Sequence, residues 1–330
     1  MRTLKNTLGT LLMTALIVTS CNTIDDDQEF LDIPATAQEF QNLKNEALDK
    51  LTQEFQFNAE DGYVTFTSAK GVEIDINGAC LTLDGSSVTG NVNLEFVELF
   101  EKGNMLTTNK STMGILPNGD RAMLVSGGEF FINATQNGEG LRTNCGVNVR
   151  IPTNLSGGDD HDMVIWKGIE DEKGNVAWEE ERDQDGGKGN IFIERGTQGG
   201  NQYYALFGGF GWSNVDRFYS DPRPKTQILV AVPAGYDNDN SAVYLSYDGE
   251  ETGLANLDTY DVGLELFSEH YGQIPIGLEC HVIFATEEDG MWKYAVKAVT
   301  IVDNGTVVIS DGETALVTET ELTTLINGLP

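Results

Sequence analysis

Gly71-Val72-Glu73-Ile74-Asp75-Ile76 sets valine and isoleucine at every second position with acids between them, the spacing at which a pleated strand turns one face to a core and the other to water. Similar runs continue along the chain. Val64 to Ser68, Val92 to Phe100, Glu129 to Thr135, Val147 to Ile151 and Met163 to Trp166 are strand-length, punctuated by Gly, Asn and Asp, with no helical stretch between them. That pattern predicts an antiparallel sandwich and argues against an alternating α/β sheet. Asp171-Glu172-Lys173-Gly174-Asn175 reads as a turn, with Val176-Ala177-Trp178 as its return strand. The polar, Gly-rich stretch from Glu179 to Asn190 breaks the pattern, so a domain boundary is expected at residues 183–190. Beyond it Tyr203 to Phe207, Thr226 to Val232, Ala242 to Tyr247, Leu278 to Ala285, Trp292 to Val302 and Val307 to Ser310 repeat the logic. Thr318-Glu319-Thr320-Glu321 before Leu322, Leu325 and Ile326 predicts a short capped terminal helix. The expected fold is mainly β, with two antiparallel β-sandwich-like domains at residues 62–182 and 191–330. The length of 330 residues agrees with two domains of roughly 150 residues each.

The period upstream is different. Thr36-Ala37-Gln38-Glu39 has capping-box form, and Phe40, Leu43, Ala47, Leu51 and Phe55 recur at helical spacing, so residues 36–61 are read as an amphipathic helix, helical from about 37 to 55, ending at Asp61-Gly62. Its expected role is a stalk docked against the body. Before it, Arg2 and Lys5 precede the apolar stretch Leu8 to Val18, too short to span a bilayer, and Thr19-Ser20 lead into Cys21. Ile17-Val18-Thr19-Ser20-Cys21 resembles a lipobox, although Leu three residues before the cysteine and Gly or Ala just before it would be more typical. The resemblance implies a signal peptide at 1–20, cleavage before Cys21, and acylation of that residue. Two or three buried acyl chains hold a protein on a membrane durably, so the implied partner is outer-membrane lipid reached through Cys21. Asn22-Thr23-Ile24-Asp25-Asp26-Asp27-Gln28-Glu29 opens an acidic tether at 21–35. It resembles the export signal of Bacteroidota lipoproteins displayed outside the cell, and a solvated spacer explains it equally. The expected location is the cell outer membrane, lipid-anchored and facing the exterior.

Charge restricts the partners. With 20 Lys and Arg against 52 Asp and Glu, the formal charge of −32 repels phosphate backbones, which excludes nucleic acid. An apolar content of 40% supplies a real core and argues against disorder. With Cys21 acylated, Cys80, Cys145 and Cys280 remain, and three thiols cannot all pair within one chain. Cys80 and Cys145 fall in one expected domain and are the expected disulfide. Cys280 alternates with Leu278 and Val282 as a buried strand thiol would, and the lack of CxxC spacing disfavours redox chemistry and a zinc ribbon.

Catalytic patterns are sparse. His161 lies in Asp159-Asp160-His161-Asp162 without a second histidine at ligand spacing, His270 and His281 are distant, and neither HExxH nor GxSxG occurs. No cofactor is required by any motif. Calcium has one weak seat: Asp183, Asp185 and Glu194 stand at the first, third and twelfth positions of an EF-hand-like loop. Gly187 replaces its fifth-position donor and Lys188 its turn glycine, so a solvated linker is the plainer reading. Asp237-Asn238-Asp239-Asn240 is a second oxygen-rich turn. Tyr203, Tyr204, Trp212 and Tyr219 crowd one region and, if exposed together, would stack on sugar rings; core packing explains the same residues. Arg217 beside Asp216 is expected to brace that core through an ion pair.

The segments Val88 to Leu99, Gly103 to Lys110 and Ser126 to Gly138, with Gly211-Trp212-Ser213-Asn214-Val215-Asp216-Arg217-Phe218, are similar to a family of uncharacterised Bacteroidota lipoproteins. The likeness reaches from about residue 70 to 310. The first half also distantly resembles the β-sandwich domain of ankyrins and netrin receptors, which implies a fold used for protein contacts. A self-cleaving neighbour of that domain carries His-Phe-Ser or His-Phe-Pro. This chain has neither, its nearest approach being Ser268-Glu269-His270-Tyr271-Gly272. The expected function is a non-catalytic binding or structural role of a lipid-anchored envelope protein with a protein or glycan partner. A glycan-binding accessory lipoprotein and a hydrolase with an acidic pair are the alternatives.

Overall fold

A computed structural model describes residues 33–182, 191–196 and 199–330. Residues 1–20, Cys21, nearly all of the tether and the whole of 183–190 lie outside the described residues. The body from Pro34 to Pro330 is one compact unit and mainly β.

The first sandwich has a large sheet in the order Gln53–Asn58, Asn91–Leu99, Arg121–Gln136, Gly211–Phe218, Val164–Glu170, Val176–Glu180 and Met113–Ile115. Met113–Ile115 pairs with both Val176–Glu180 and the start of Arg121–Gln136, so the sheet curls back onto itself. A five-stranded sheet faces it, ordered Ile191–Arg195, Asn201–Phe207, Val147–Pro152, Glu73–Asn77 and Tyr63–Thr67. Val72, Ile74 and Ile76 point inward from the Glu73–Asn77 region and meet Leu94, Phe96, Phe130, Ile132 and Tyr203 in one core. The second sandwich joins a four-stranded sheet (Thr259–Asp261, Leu266–Pro275, Lys225–Ala231, Thr306–Val308) to a five-stranded one (Ala255–Asn256, Ser241–Tyr247, Glu279–Glu288, Met291–Thr300, Ala315–Val317). Its core includes Ile228, Val230, Leu245, Phe267, Val282 and Phe284.

Sheet pairing draws the division differently from the sequence reading. Asn201–Phe207 pairs with Val147–Pro152, and Gly211–Phe218 lies between Val164–Glu170 and Arg121–Gln136, so residues 191–218 complete the first sandwich. The second sandwich starts with Lys225. The polar, Gly-rich stretch falls between Val176–Glu180 of the large sheet and Ile191–Arg195 of the facing sheet, and such composition is as usual between two sheets as between two domains.

Three helices fill the junction: α1 (Ala37–Leu51), α2 (Lys102–Thr107) and α3 (Glu319–Asn327). They pack with the outer side of the large sheet and with the five-stranded sheet of the second sandwich in a third core containing Phe40, Met105, Leu106, Trp166, Trp178, Trp212, Tyr244, Trp292 and Ile326. Phe40 meets Trp292 edge to face at 6.1 Å. Thr36 and Thr318 close full capping boxes with Glu39 and Glu321 at the starts of α1 and α3. α1 stops at Leu51, short of the expected 55, because Phe55 and Phe57 alternate on the strand Gln53–Asn58 and pack on Phe66. The helix wedges two sandwiches together.

Candidate functional site

A cleft of about 390 Å³ opens where α1 crosses the second sandwich. Gln38, Phe40, Gln41 and Lys44 of α1 form one wall, the Asp171–Asn175 turn of the first sandwich another, and Asn238, Asp239 and Asn256 to Asp258 of the second sandwich the rest. The two turns are built alike. The Asp171 carboxylate accepts from the backbone N–H groups of Lys173 and Asn175 at 2.9 Å and from Asn175 Nδ2 at 2.7 Å, while Asp237 accepts from the Asp239 N–H at 2.8 Å. Short acids bend the chain onto their own backbone in this way. Lys173 Nζ then spans the gap to Asp239 at 2.5 Å.

The other cations around the cleft are paired as well, whereas Asp171 and Glu172 of its lining have no cation partner among the described residues. Arg121 pairs with Asp258 at 2.8 Å, and Asp258 also accepts from the Tyr271 hydroxyl at 2.7 Å. Lys110, packed behind the turn, donates to Glu170 and to the Gly174 carbonyl, each at 2.7 Å. Asn109 donates to Asn175 Oδ1 at 2.5 Å and accepts from the Tyr244 hydroxyl at 2.6 Å.

Lys44 is the exception. It is 7% exposed, its Nζ lies 4.4 Å from the centre of the Phe40 ring one helical turn away, and among the described residues it has no hydrogen-bond or ion-pair partner. Burial, helped by the neighbouring Lys110 and Lys173 charges and opposed by Asp171, lowers its amine to about 8. The amine is still largely charged at neutral pH. Sequence periodicity passed over this residue, although a lysine between Leu43 and Ala47 on the apolar face of a helix is the signal that could have found it.

The residues singled out from the sequence scatter. Cys21, Asp183 and Asp185 lie outside the described residues, and Glu194 is exposed on a strand paired with Gln202. Among the described residues no group of three or more His, Cys, Asp or Glu side chains is gathered for a metal. The four aromatics form no strip. Tyr203 is wholly buried in the first core, its hydroxyl donating to the Gly158 carbonyl and accepting from the Asp160 N–H. Trp212 is buried in the junction core against Trp178, and Tyr219 packs edge to face on Tyr247. Tyr204 and Tyr219 are both half-buried, and Tyr204 stacks on the 52% exposed Phe192 with ring centres 5.2 Å apart. Neighbours on a strand point to opposite faces, so Tyr203 and Tyr204 could not serve one surface. Arg217 pairs with Asp160 at 2.6 Å, not with the adjacent Asp216. Cys80 and Cys145 are joined in a disulfide with Cα atoms 5.8 Å apart, and Cys280 is a buried free thiol that burial pushes up to about 12.

Sequence reasoning also missed an acid pair. Glu129 and Asp216, on adjacent strands of the large sheet, are both fully buried. Burial raises each carboxyl well above its ordinary range, and Asp216 adds to the effect on Glu129. Asp216 is held by Ser126 Oγ and Asn214 Nδ2, each at 2.8 Å, whereas neither Glu129 oxygen has a hydrogen-bond partner among the described residues. Neither residue lines the cleft, so this pair does not supply the open acid and base that hydrolysis needs. No protein-family model matches the chain, and a search of the curated proteins found no match to it.

Proposed function

We propose that the chain is a lipid-anchored envelope protein that works by non-catalytic binding, with Cys21 acylated, the outer membrane as its support and the folded body facing the exterior. The anchoring half rests on the leader that ends at Cys21 and the acidic stretch after it. The binding half is carried by one observation: a nearly buried ammonium without a hydrogen-bond or ion-pair partner among the described residues lines an open polar cleft whose other cations are paired. Protease shaving of intact cells, with fractionation of wild type and Cys21→Ala, tests the anchoring. Wild type that stays with membranes and is shaved, beside a variant that leaves the membrane, is expected. Protein protected in intact cells but cleaved after lysis would refute outward display. Glycan binding on the outer face of the five-stranded sheet is a second reading, favoured by the exposed Phe192 on Tyr204; Phe192→Ser would abolish it without unfolding the body.

A further inference from the structure

We propose that the edge strand Tyr63–Thr67 pairs antiparallel with the same strand of a second copy of the chain, about a two-fold axis at Thr65, so that two five-stranded sheets become one. The strand ends its sheet: Glu73–Asn77 lies on one side and no strand on the other. Gly78 N–H donates to the Gly62 carbonyl and Ser68 N–H to the Val72 carbonyl, each at 2.8 Å, so the bonds to Glu73–Asn77 fall on the even-numbered residues of this ladder. The N–H and C=O groups of Tyr63, Thr65 and Thr67 therefore point out of the sheet edge, and among the described residues they meet no partner.

Such an edge is usually defended by a charge, a proline or a bulge. Tyr63-Val64-Thr65-Phe66-Thr67 has no charge and no proline, although the chain carries a net −32, and its register with Glu73–Asn77 is unbroken. Among the described residues the other edge strands of comparable length are defended: Gln53–Asn58 carries Glu54, and Ile191–Arg195 carries Glu194 and Arg195.

Self-complementarity identifies the occupant as a second copy. Pairing centred on Thr65 sets Thr65 against its own image, Tyr63 against Thr67 and Val64 against Phe66, and every outward N–H meets an outward C=O. Tyr with Thr and Val with Phe join an aromatic to a β-branched side chain, a favourable cross-strand match. Val64, Phe66 and Phe55 are only half-buried at this open side of the first core, with the two Phe rings 4.9 Å apart, and the inward pairs close over them. Two such acidic chains repel at long range, yet charges more than about 8 Å apart are largely screened at physiological salt, so the seam itself decides. It brings no acid, and Glu73 and Asp75 on the next strand are both paired with Arg150.

Sedimentation equilibrium of the full-length protein in density-matched detergent, from about 1 to about 100 μM, tests this. Wild type should pass from monomer to dimer in that range. Thr65→Lys, which places a charge on the exposed edge without entering the core, should weaken the dimer at least about tenfold while melting close to wild type. Thr65→Pro removes only an outward N–H and should act in the same direction. Thr65→Cys reads the register: the pairing sets the two Cα atoms about 5.5 Å apart, within disulfide reach, so mild oxidation should give a covalent dimer. Glu194→Cys, on the opposite edge of the same sheet, should not cross-link. Wild type that stays monomeric at about 100 μM, a dimer that Thr65→Lys leaves intact, or a dimer in which Thr65→Cys fails to cross-link would each overturn the assignment.

Discussion

Replacing Lys44 by methionine should make the protein more stable at neutral pH, and the gain should fade in alkali. The side chain keeps its length and its packing beside Phe40 but loses the charge. An amine with an ordinary value of 10.5 that burial lowers to about 8 disfavours the fold by roughly 3 kcal/mol while it is protonated in both states. The folded value is the lower one, so the full cost applies below pH 8. Between pH 8 and 10.5 the folded amine releases its proton while the unfolded one retains it, and stability climbs with pH. Above 10.5 the cost is gone. Methionine also forfeits the contact of the ammonium with the Phe40 ring, worth about 0.5 to 1 kcal/mol, so the net gain at pH 7 is about 2 kcal/mol. Scanning calorimetry of both proteins at pH 7 and at pH 10.5 should show the variant melting several degrees higher at the first pH and level with or below wild type at the second. A variant that melts lower at pH 7, or one whose advantage is the same at both pH values, would refute the claim that Lys44 is an uncompensated buried charge.

Opening the Cys80–Cys145 bridge, by reduction or by Cys145→Ser, releases a loop of 65 residues and should lower stability by about 4 kcal/mol, read as a fall in the urea midpoint. Glu129→Gln should stabilise the protein at pH 7 and change little at pH 4. Burial holds the folded carboxyl's pKa well above that of the unfolded one, which ionises above 4.5, so wild-type stability falls as pH rises past that value and the amide removes Glu129's share of the fall while Asp216 keeps its own; urea midpoints at the two pH values check it. Thr36→Ala removes the cap of α1 and should cost about 1 kcal/mol, seen as faster hydrogen exchange in the first turn of that helix before any change in the sheets.

The strands were legible because a half-buried strand cannot hide its period: Val72, Ile74 and Ile76 alternate with Glu73 and Asp75 whatever they pair with. Both capped helices were legible for a similar local reason, since Thr36 with Glu39 and Thr318 with Glu321 close their hydrogen bonds within four residues. Pairing is not local. Nothing near Trp212 says that its strand lies between two strands 40 and more residues away, and that placement both moves the division between the sandwiches and buries the residue once considered for sugar stacking. Lys44 was obscured by its own helix, where one lysine on an apolar face looks like a side chain that bends out to water. It does not, because the Asp171–Asn175 turn and the Asn238–Asp239 loop stand over the helix, and both come from distant parts of the chain.

The ion pairs around the cleft do not hold it together. Lys173 and Asp239 join the two sandwiches, but both are about half exposed, and a pair of that kind contributes well under a kcal/mol after solvent screening. Trp166, Trp178, Trp212, Tyr244 and Trp292, buried between the same sandwiches with α1, provide the rigidity, since burying any one of these rings contributes more than the exposed pair. The matched charges therefore have a different consequence. By satisfying one another they leave Lys44 as the one lining cation without an acid partner among the described residues, in a wall that is already fixed. Preorganisation of this kind limits the entropy lost on binding.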